Sequence, residues 1–169
     1  MVHQSMIKLP GCKTGCGKEF DGKEVTEIKG RIQSAVDELT GEQRVLVMAC
    51  SWRNYYGRDL EGLKKLADRV DDYRVIPVPC SGLVNPDWVA MALDRGADSV
   101  LVLGGHCGSC PYSKEVSFGE ARLKEQVQRL GFDPSRVSID WAEDDEPLSF
   151  VETVDRVADV VAVLGPPFR

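Results

Sequence analysis

The chain has 169 residues, of which 43% are hydrophobic and 28% are charged, and its net charge is −6. This length and composition fit one globular domain with a short appendage. The acidic balance argues against a protein that binds nucleic-acid phosphates, which requires a basic surface.

Six cysteines are the most informative count in this composition. We expect neither a secretory signal nor a membrane span, because the N-terminal MVHQSMIKLP and every later apolar run are too short or too polar. The expected compartment is therefore the cytoplasm, where thiols stay reduced. Six cysteines in such a chain indicate metal binding or redox chemistry rather than a disulfide framework.

Residues 1–43 are predicted to form an N-terminal arm and residues 44–169 an α/β domain. Within the arm, a glycine-rich loop that starts at Pro10 precedes an amphipathic helix, which Gly41 should terminate. The apolar residues of this helix recur three or four positions apart: Val25, Ile28, Ile32, Val36 and Leu39.

The body alternates strand and helix four times, which predicts an α/β three-layer sandwich around a mostly parallel sheet of about four strands. Either a flavodoxin-like or a Rossmann-like arrangement fits this pattern. Pro77 and Pro79 cannot donate to a strand ladder, so the second strand should lie at an edge or end early. The predicted segments are, in order, a strand at 44–50, a helix carrying Leu60, Leu63, Leu66, Ala67 and Val70, a strand at 73–80, a helix that begins at Asn85-Pro86 and closes at Gly96, a strand at 98–105, a helix at 112–130, a strand at 137–142 and a helix at 148–164.

Four cysteines fall at the ends of predicted strands. Cys50 and Cys80 end the first two strands, and Cys107 and Cys110 follow the third. Because the carboxyl ends of parallel strands meet at one edge of the sheet, topology should bring these thiols together. Four thiolates suit a [2Fe–2S] or [4Fe–4S] cluster or a zinc site. The isolated Cys50 and Cys80 are unlike the paired knuckles of a zinc ribbon.

Other interpretations of the same residues stay open. Cys107 and Cys110 also form the C-x-x-C of a dithiol site at a helix N-terminus, and a single strand-end cysteine is often only a small buried apolar residue. Cys12 and Cys16 form C-x-x-x-C in the arm and could join the same crevice, a second site or neither. The acidic run Asp140, Glu143, Asp144, Asp145 and Glu146 is interpreted as a solvated loop.

Several short motifs occur in a familiar order. From Val45 to about Leu164 the body resembles the delta subunit of methyl-viologen-reducing hydrogenase. The resemblance is carried by Cys50-Ser51-Trp52 with Tyr55, Asp59-Leu60-Glu61-Gly62, Cys80-Ser81-Gly82, Gly96-Ala97-Asp98 and the segment from Gly104 to Tyr112. Arg53 and Gly105 stand where that family has cysteines, while Cys107 occupies a position that is variable in it.

The resemblance implies an electron-transfer subunit with a [2Fe–2S] cluster, held by Cys50, Cys80, Cys107 and Cys110, with Cys12 and Cys16 as substitutes. It further implies one-electron relay to or from a heterodisulfide-reductase-A-like flavoprotein in a larger redox complex of anaerobes, including complexes that carry out flavin-based electron bifurcation. The alternative functions are a dithiol–disulfide oxidoreductase that uses Cys107 and Cys110, and a cluster-free or zinc-stapled adaptor.

Overall fold

Parallel strands with helices on both faces make up the computed structural model, which describes residues 22–50, 73–78, 80–104, 113–141 and 147–167. Within these ranges there are four strands and four α-helices. Their bounds are α1 Gly22–Asp37, β1 Val45–Cys50, β2 Tyr73–Val78, α2 Pro86–Arg95, β3 Ser99–Gly104, α3 Ser113–Arg129, β4 Val137–Trp141 and α4 Pro147–Leu164, with 3₁₀ turns at Ser81–Leu83 and Pro134–Arg136.

The strands form one sheet in the order β2-β1-β3-β4, and every pairing is parallel. In the described part of the chain this order matches flavodoxin-like folds, one of the two arrangements that the sequence left open. The two central strands, β1 and β3, are buried along their whole length, as their continuous apolar runs predicted. β2 lies at an edge with Pro77 exposed, in agreement with the prediction from its prolines.

Each face of the sheet has its own core. The larger core packs α1, α2 and α3 against one face, where Leu46 and Met48 of β1 point. The smaller core packs α4 against the other face, where Val45, Val47 and Ala49 of β1 lie. The strict alternation of β1 between the two cores makes this a three-layer sandwich, as predicted.

The helix of the N-terminal arm docks on the body. Its buried residues are Ile28, Ile32, Ala35 and Val36, which belong to the larger core. The helix ends at Asp37 instead of continuing to Gly41, because the chain turns there and Leu39 packs inward with its N–H bonded to the Val36 carbonyl at 3.1 Å. The prediction that this helix ends at Gly41 was therefore wrong, since α1 ends four residues earlier, at Asp37.

Two arginines form hydrogen bonds with the residues at the C-terminal end of α1. Arg95, the last residue of α2, donates two hydrogen bonds to the carboxylate of Asp37, at 2.7 and 2.6 Å. The hydrogen bonds from Arg95 lower the pKa of Asp37 below its ordinary value. Arg74, near the start of β2, donates to the Glu38 carboxylate at 3.3 Å and to its carbonyl at 2.9 Å.

The predicted helix boundaries in the body are largely confirmed. The Asn85 side chain accepts the Asp87 N–H at 2.9 Å as the N-cap of α2, and Gly96 closes that helix with φ 121°. Gly131 and Gly165 follow α3 and α4 with positive φ. The predicted helix with Leu60, Leu63, Leu66, Ala67 and Val70 lies outside the described residues. In the described part of the chain, no helix combines the length and hydropathy needed to cross a bilayer.

Candidate metal centre

The strand order reverses its direction between β1 and β3. From β1 the sheet continues to β2 on one side, whereas from β3 it continues to β4 on the other. At such a switch point the connections leave the carboxyl ends of the two strands in opposite directions, which opens a crevice where ligands bind in open α/β sheets. β1 ends at Cys50, and β3 ends at Gly104, one residue beyond the Ala49–Leu103 pair.

Cys50 is placed at the carboxyl edge of the sheet by its strand. It has the same strand parity as Leu46 and Met48, so it lies on the sheet face that carries the larger core. Its side chain is only 5% exposed. The thiol is therefore positioned by a fully buried strand at the point where that strand reaches the carboxyl edge.

Cys80 reaches the same edge from the neighbouring strand. Val78 pairs with Cys50 across the β1–β2 ladder, and Cys80 follows Val78 by two residues in the sequence. Cys80 itself has an extended backbone, with φ −153° and ψ 133°. Cys80 is 2% exposed.

A 3₁₀ turn covers this part of the edge. The Cys80 carbonyl accepts the N–H of Leu83 at 3.1 Å, which starts the turn Ser81–Leu83. The turn contacts β1, β3 and α3. It therefore packs the chain after Cys80 against both central strands.

The other sequence-predicted site residues lie outside the described part of the chain. These are Cys12, Cys16, Cys107 and Cys110. Cys107 follows the end of β3 at Gly104 by three residues in sequence. Among the residues that the structure does describe, no three His, Cys, Asp or Glu side chains come together as a metal site.

The donor chemistry of the described pair fits a thiolate-bound metal. Cys50 and Cys80 offer two soft ligands on adjacent, rigid elements, which is half of the four that an iron–sulfur cluster takes. Their burial gives the dry surroundings that control the potential of such a centre. Among the described residues, Cys50 and Cys80 are thus chemically suited to be two of the ligands of such a centre.

The edge also carries an ion pair that the sequence analysis missed. Asp140 was interpreted as part of a solvated acidic loop, but it lies within β4, opposite Leu103 of β3. Its carboxylate pairs with Arg156 of α4 and accepts a hydrogen bond from Thr153 at 3.3 Å. The interpretation as a solvated loop was wrong for Asp140, which the predicted strand at 137–142 already included and which lies within β4. The available signal was the strand alternation of Val137 and Ile139, which belong to the larger core and so turn Asp140 toward the face that carries α4.

The sequence of the body matches a known family along most of its length. Residues 45–165 match the family described as methyl-viologen-reducing hydrogenase, delta subunit. The chain belongs to this family.

Two archaeal members of similar size show the same relationship. The iron-sulfur subunit of the F420-non-reducing hydrogenase of Archaeoglobus profundus is 34% identical over 129 residues, which cover 74% of this chain and 93% of that protein. The vhu iron-sulfur subunit of the F420-non-reducing hydrogenase of Methanopyrus kandleri is 33% identical over 129 residues, which cover 74% of this chain and 97% of that protein. The delta-subunit body therefore accounts for nearly the whole of these relatives.

A longer relative contains the same domain as one part. It belongs to the ferredoxin/F(420)H(2)-dependent CoB-CoM heterodisulfide reductase of Methanosarcina acetivorans and is 30% identical over 146 residues, which cover 85% of this chain but only 18% of that protein. A match over 85% of this chain has to begin before residue 28. The similarity to that reductase polypeptide therefore extends into α1, upstream of the family match that begins at residue 45.

Proposed function

We propose that this delta-subunit chain is an electron-transfer subunit whose [2Fe–2S] cluster is held by Cys50, Cys80, Cys107 and Cys110. The observation that carries the proposal is the pair of buried cysteines, Cys50 and Cys80, at the carboxyl edge beside the switch point. The names of the two hydrogenase relatives, which call those proteins iron-sulfur subunits, support it.

A bound cluster would supply reversible one-electron transfer. The chain's own residues position the thiolate ligands and bury them away from water. Cys50 at the end of β1 and Cys80 just before the turn Ser81–Leu83 supply two buried thiols, which are 5% and 2% exposed. Cys107 and Cys110, three and six residues after the end of β3, provide the remaining two thiolates.

The partner in this proposal is a flavoprotein of the heterodisulfide reductase A kind. In the Methanosarcina protein a delta-subunit domain and the remainder of a heterodisulfide reductase component share one polypeptide, which supports a physical association between the two. Electrons pass between the cluster and that flavoprotein inside a larger cytoplasmic hydrogenase and heterodisulfide reductase complex, which takes part in flavin-based electron bifurcation.

The proposal is tested on protein purified or reconstituted without oxygen. We expect visible absorption typical of an iron–sulfur protein, two irons and two acid-labile sulfides per chain, and an electron paramagnetic resonance signal on one-electron reduction. Cys50→Ser and Cys80→Ser should each remove most of the iron, because each deletes a ligand. Ala49→Ser is the matched control, since it adds a hydroxyl to the same strand on the opposite face and should retain the cluster.

Other outcomes identify the alternative functions. Zinc in place of iron, with no visible absorption, would indicate the zinc-stapled adaptor. Disulfide reductase activity that survives Cys50→Ser but not Cys107→Ser would indicate the dithiol enzyme. Wild-type protein that contains neither iron nor sulfide after reconstitution contradicts the proposal.

A further inference from the structure

A groove of about 430 Å³ runs along the outward side of α2, the helix that packs between α1 and α3. Leu130, which directly follows α3, forms its far wall. The wall on α2 consists of residues that share one side of the helix, at a first position and three, four and seven positions after it: Asp87, Ala90, Met91 and Asp94. The groove is therefore built from two helices of the body.

The middle of the groove is apolar and held in place by the fold. Ala90 and Met91 are half-buried and pack against the larger core. Leu130 is 49% exposed, and its backbone N–H donates to the Gln126 carbonyl at 3.1 Å, which fixes it to the last turn of α3. An apolar side chain from a partner would remove this surface from water, which favours docking.

The charges that flank the apolar middle are negative. Asp87 and Asp94 lie about 10 Å apart along the axis of α2, because each helical residue adds about 1.5 Å. In the part of the chain that the structure describes, neither carboxylate has a hydrogen-bond or ion-pair partner. Arg95 also lines the groove, but its guanidinium is already paired with Asp37 at 2.6 Å. The groove is thus complementary to two positive charges with apolar groups between them.

A basic amphipathic helix presents this combination. Its side chains at positions i, i+3, i+4 and i+7 share one face, so that Lys or Arg at the outer positions can meet the two aspartates. The apolar residues at the inner positions then meet Met91 and Leu130. A second copy of this chain is disfavoured as the occupant, because its net charge of −6 repels an acidic groove.

We propose that the groove between α2 and Leu130 is the docking site for a basic amphipathic helix of a partner polypeptide. The groove lies within residues 87–130, inside the family match at 45–165, so the site belongs to the delta-subunit body. The attraction comes from the two aspartates and the apolar middle, and it does not depend on an iron–sulfur cluster.

The test measures binding of a labelled synthetic amphipathic peptide to the full-length chain by fluorescence anisotropy. The peptide carries two lysines seven positions apart, with leucines three and four positions after the first lysine. We expect it to bind, and to bind more weakly as salt is added, because salt screens exposed ion pairs. Asp87→Asn/Asp94→Asn should weaken binding by about fivefold or more, since it removes both negative charges from the groove.

Matched variants separate the groove from the overall charge of the chain. Glu42→Gln/Glu152→Gln removes two exposed carboxylates outside the groove and should change the affinity by less than about twofold. Leu130→Lys changes an exposed position and should weaken binding as much as the double asparagine variant, because it replaces the apolar wall with a positive charge. Circular dichroism checks that each variant is folded.

Any of four results would overturn the proposal. The wild type does not bind the peptide, the double asparagine variant binds it as tightly as the wild type, Glu42→Gln/Glu152→Gln weakens binding equally, or a peptide with glutamates in place of the lysines binds just as well. These results leave the proposed function standing, because none of them concerns iron. A chain that binds the peptide but takes up no iron contradicts the proposed function alone.

Discussion

At the scale of single residues, Asp98 holds the starts of three strands together at the amino edge of the sheet through hydrogen bonds. Its backbone N–H donates to the Arg44 carbonyl at 2.7 Å, and its carboxylate accepts the Arg44 N–H at 3.0 Å. Its own carbonyl accepts from Arg136, a buried arginine beside β4, at 3.0 Å. One residue that is 2% exposed therefore links the starts of β1, β3 and β4.

We expect Asp98→Ala to lower the free energy of unfolding by about 2 kcal/mol, because it leaves the Arg44 N–H without its carboxylate acceptor. Asn has a side chain of the same length that still carries an acceptor oxygen, so Asp98→Asn should lower the free energy of unfolding by about half as much. Urea unfolding followed by circular dichroism measures both variants. If the alanine variant is as stable as the wild type, this hydrogen bond makes no net contribution to the free energy of unfolding.

The cysteines illustrate what can be inferred one residue at a time. The strand-end positions of Cys50 and Cys80 followed from the apolar runs before them, since such runs form buried strands. Asp140 was misjudged because its acidic neighbours in sequence suggested a loop, whereas its partner Arg156 comes from α4, 16 residues away. Local composition carries no information about a partner that only folding brings near.

At the scale of elements, the effect of a glycine on helix stability depends on whether it lies at the end of a helix or in its interior. Gly96 closes α2 at φ 121°, a conformation that side-chain-bearing residues rarely adopt. Gly30 lies in the middle of α1 on its exposed side, and open space surrounds the position that a Cβ atom would take. The first glycine is required by its backbone conformation, and the second only weakens a helix.

Gly30→Ala should therefore raise the free energy of unfolding by about 0.5–1 kcal/mol, because alanine has the better helix propensity and meets no neighbour. Gly96→Ala is the matched comparison and should lower it by about 1 kcal/mol or more, because the left-handed backbone becomes strained. Thermal and urea unfolding of the two variants should move in opposite directions. A shift of the same sign in both would contradict this assignment.

At the scale of the whole molecule, the arm helix and the body share one core. Ile28 and Ile32 of α1 are buried in the same cluster as Leu46 of β1 and Trp88 of α2. Although the family match begins at residue 45, the interior of this protein thus extends into the arm. α1 and the sheet should consequently unfold together.

Ile32→Ala should lower the free energy of unfolding by about 3 kcal/mol, because Ile32 is fully buried and its truncation leaves a cavity between α1 and the sheet. Unfolding should remain a single transition at every probe. Val163→Ala, at an 89% exposed position of α4, is the control and should change stability by less than about 0.5 kcal/mol. A separate early transition in the Ile32 variant would mean that α1 unfolds independently.

The sequence by itself determined the class of the fold, the four strands, most helix boundaries and the likeness to the delta-subunit family. These properties follow from short-range patterns in the sequence. The spacing of apolar residues shows which face of a helix or strand is buried, and one or two residues at each helix end form its cap. The edge position of β2 is one of the two outcomes predicted from Pro77 and Pro79, which cannot donate ladder hydrogen bonds.

Only the tertiary structure decided the order β2-β1-β3-β4, the direction of α1 and the partners of Asp140, Asp98 and Asp37. Each of these depends on contacts between segments far apart in the chain, such as Asp37 and Arg95, which are separated by 58 positions. Both flavodoxin-like and Rossmann-like orders bury the same apolar strands, so local hydrophobicity does not distinguish them. Which strands pair, and which residues hold the C-terminal end of α1, is decided only when these distant segments pack into one core.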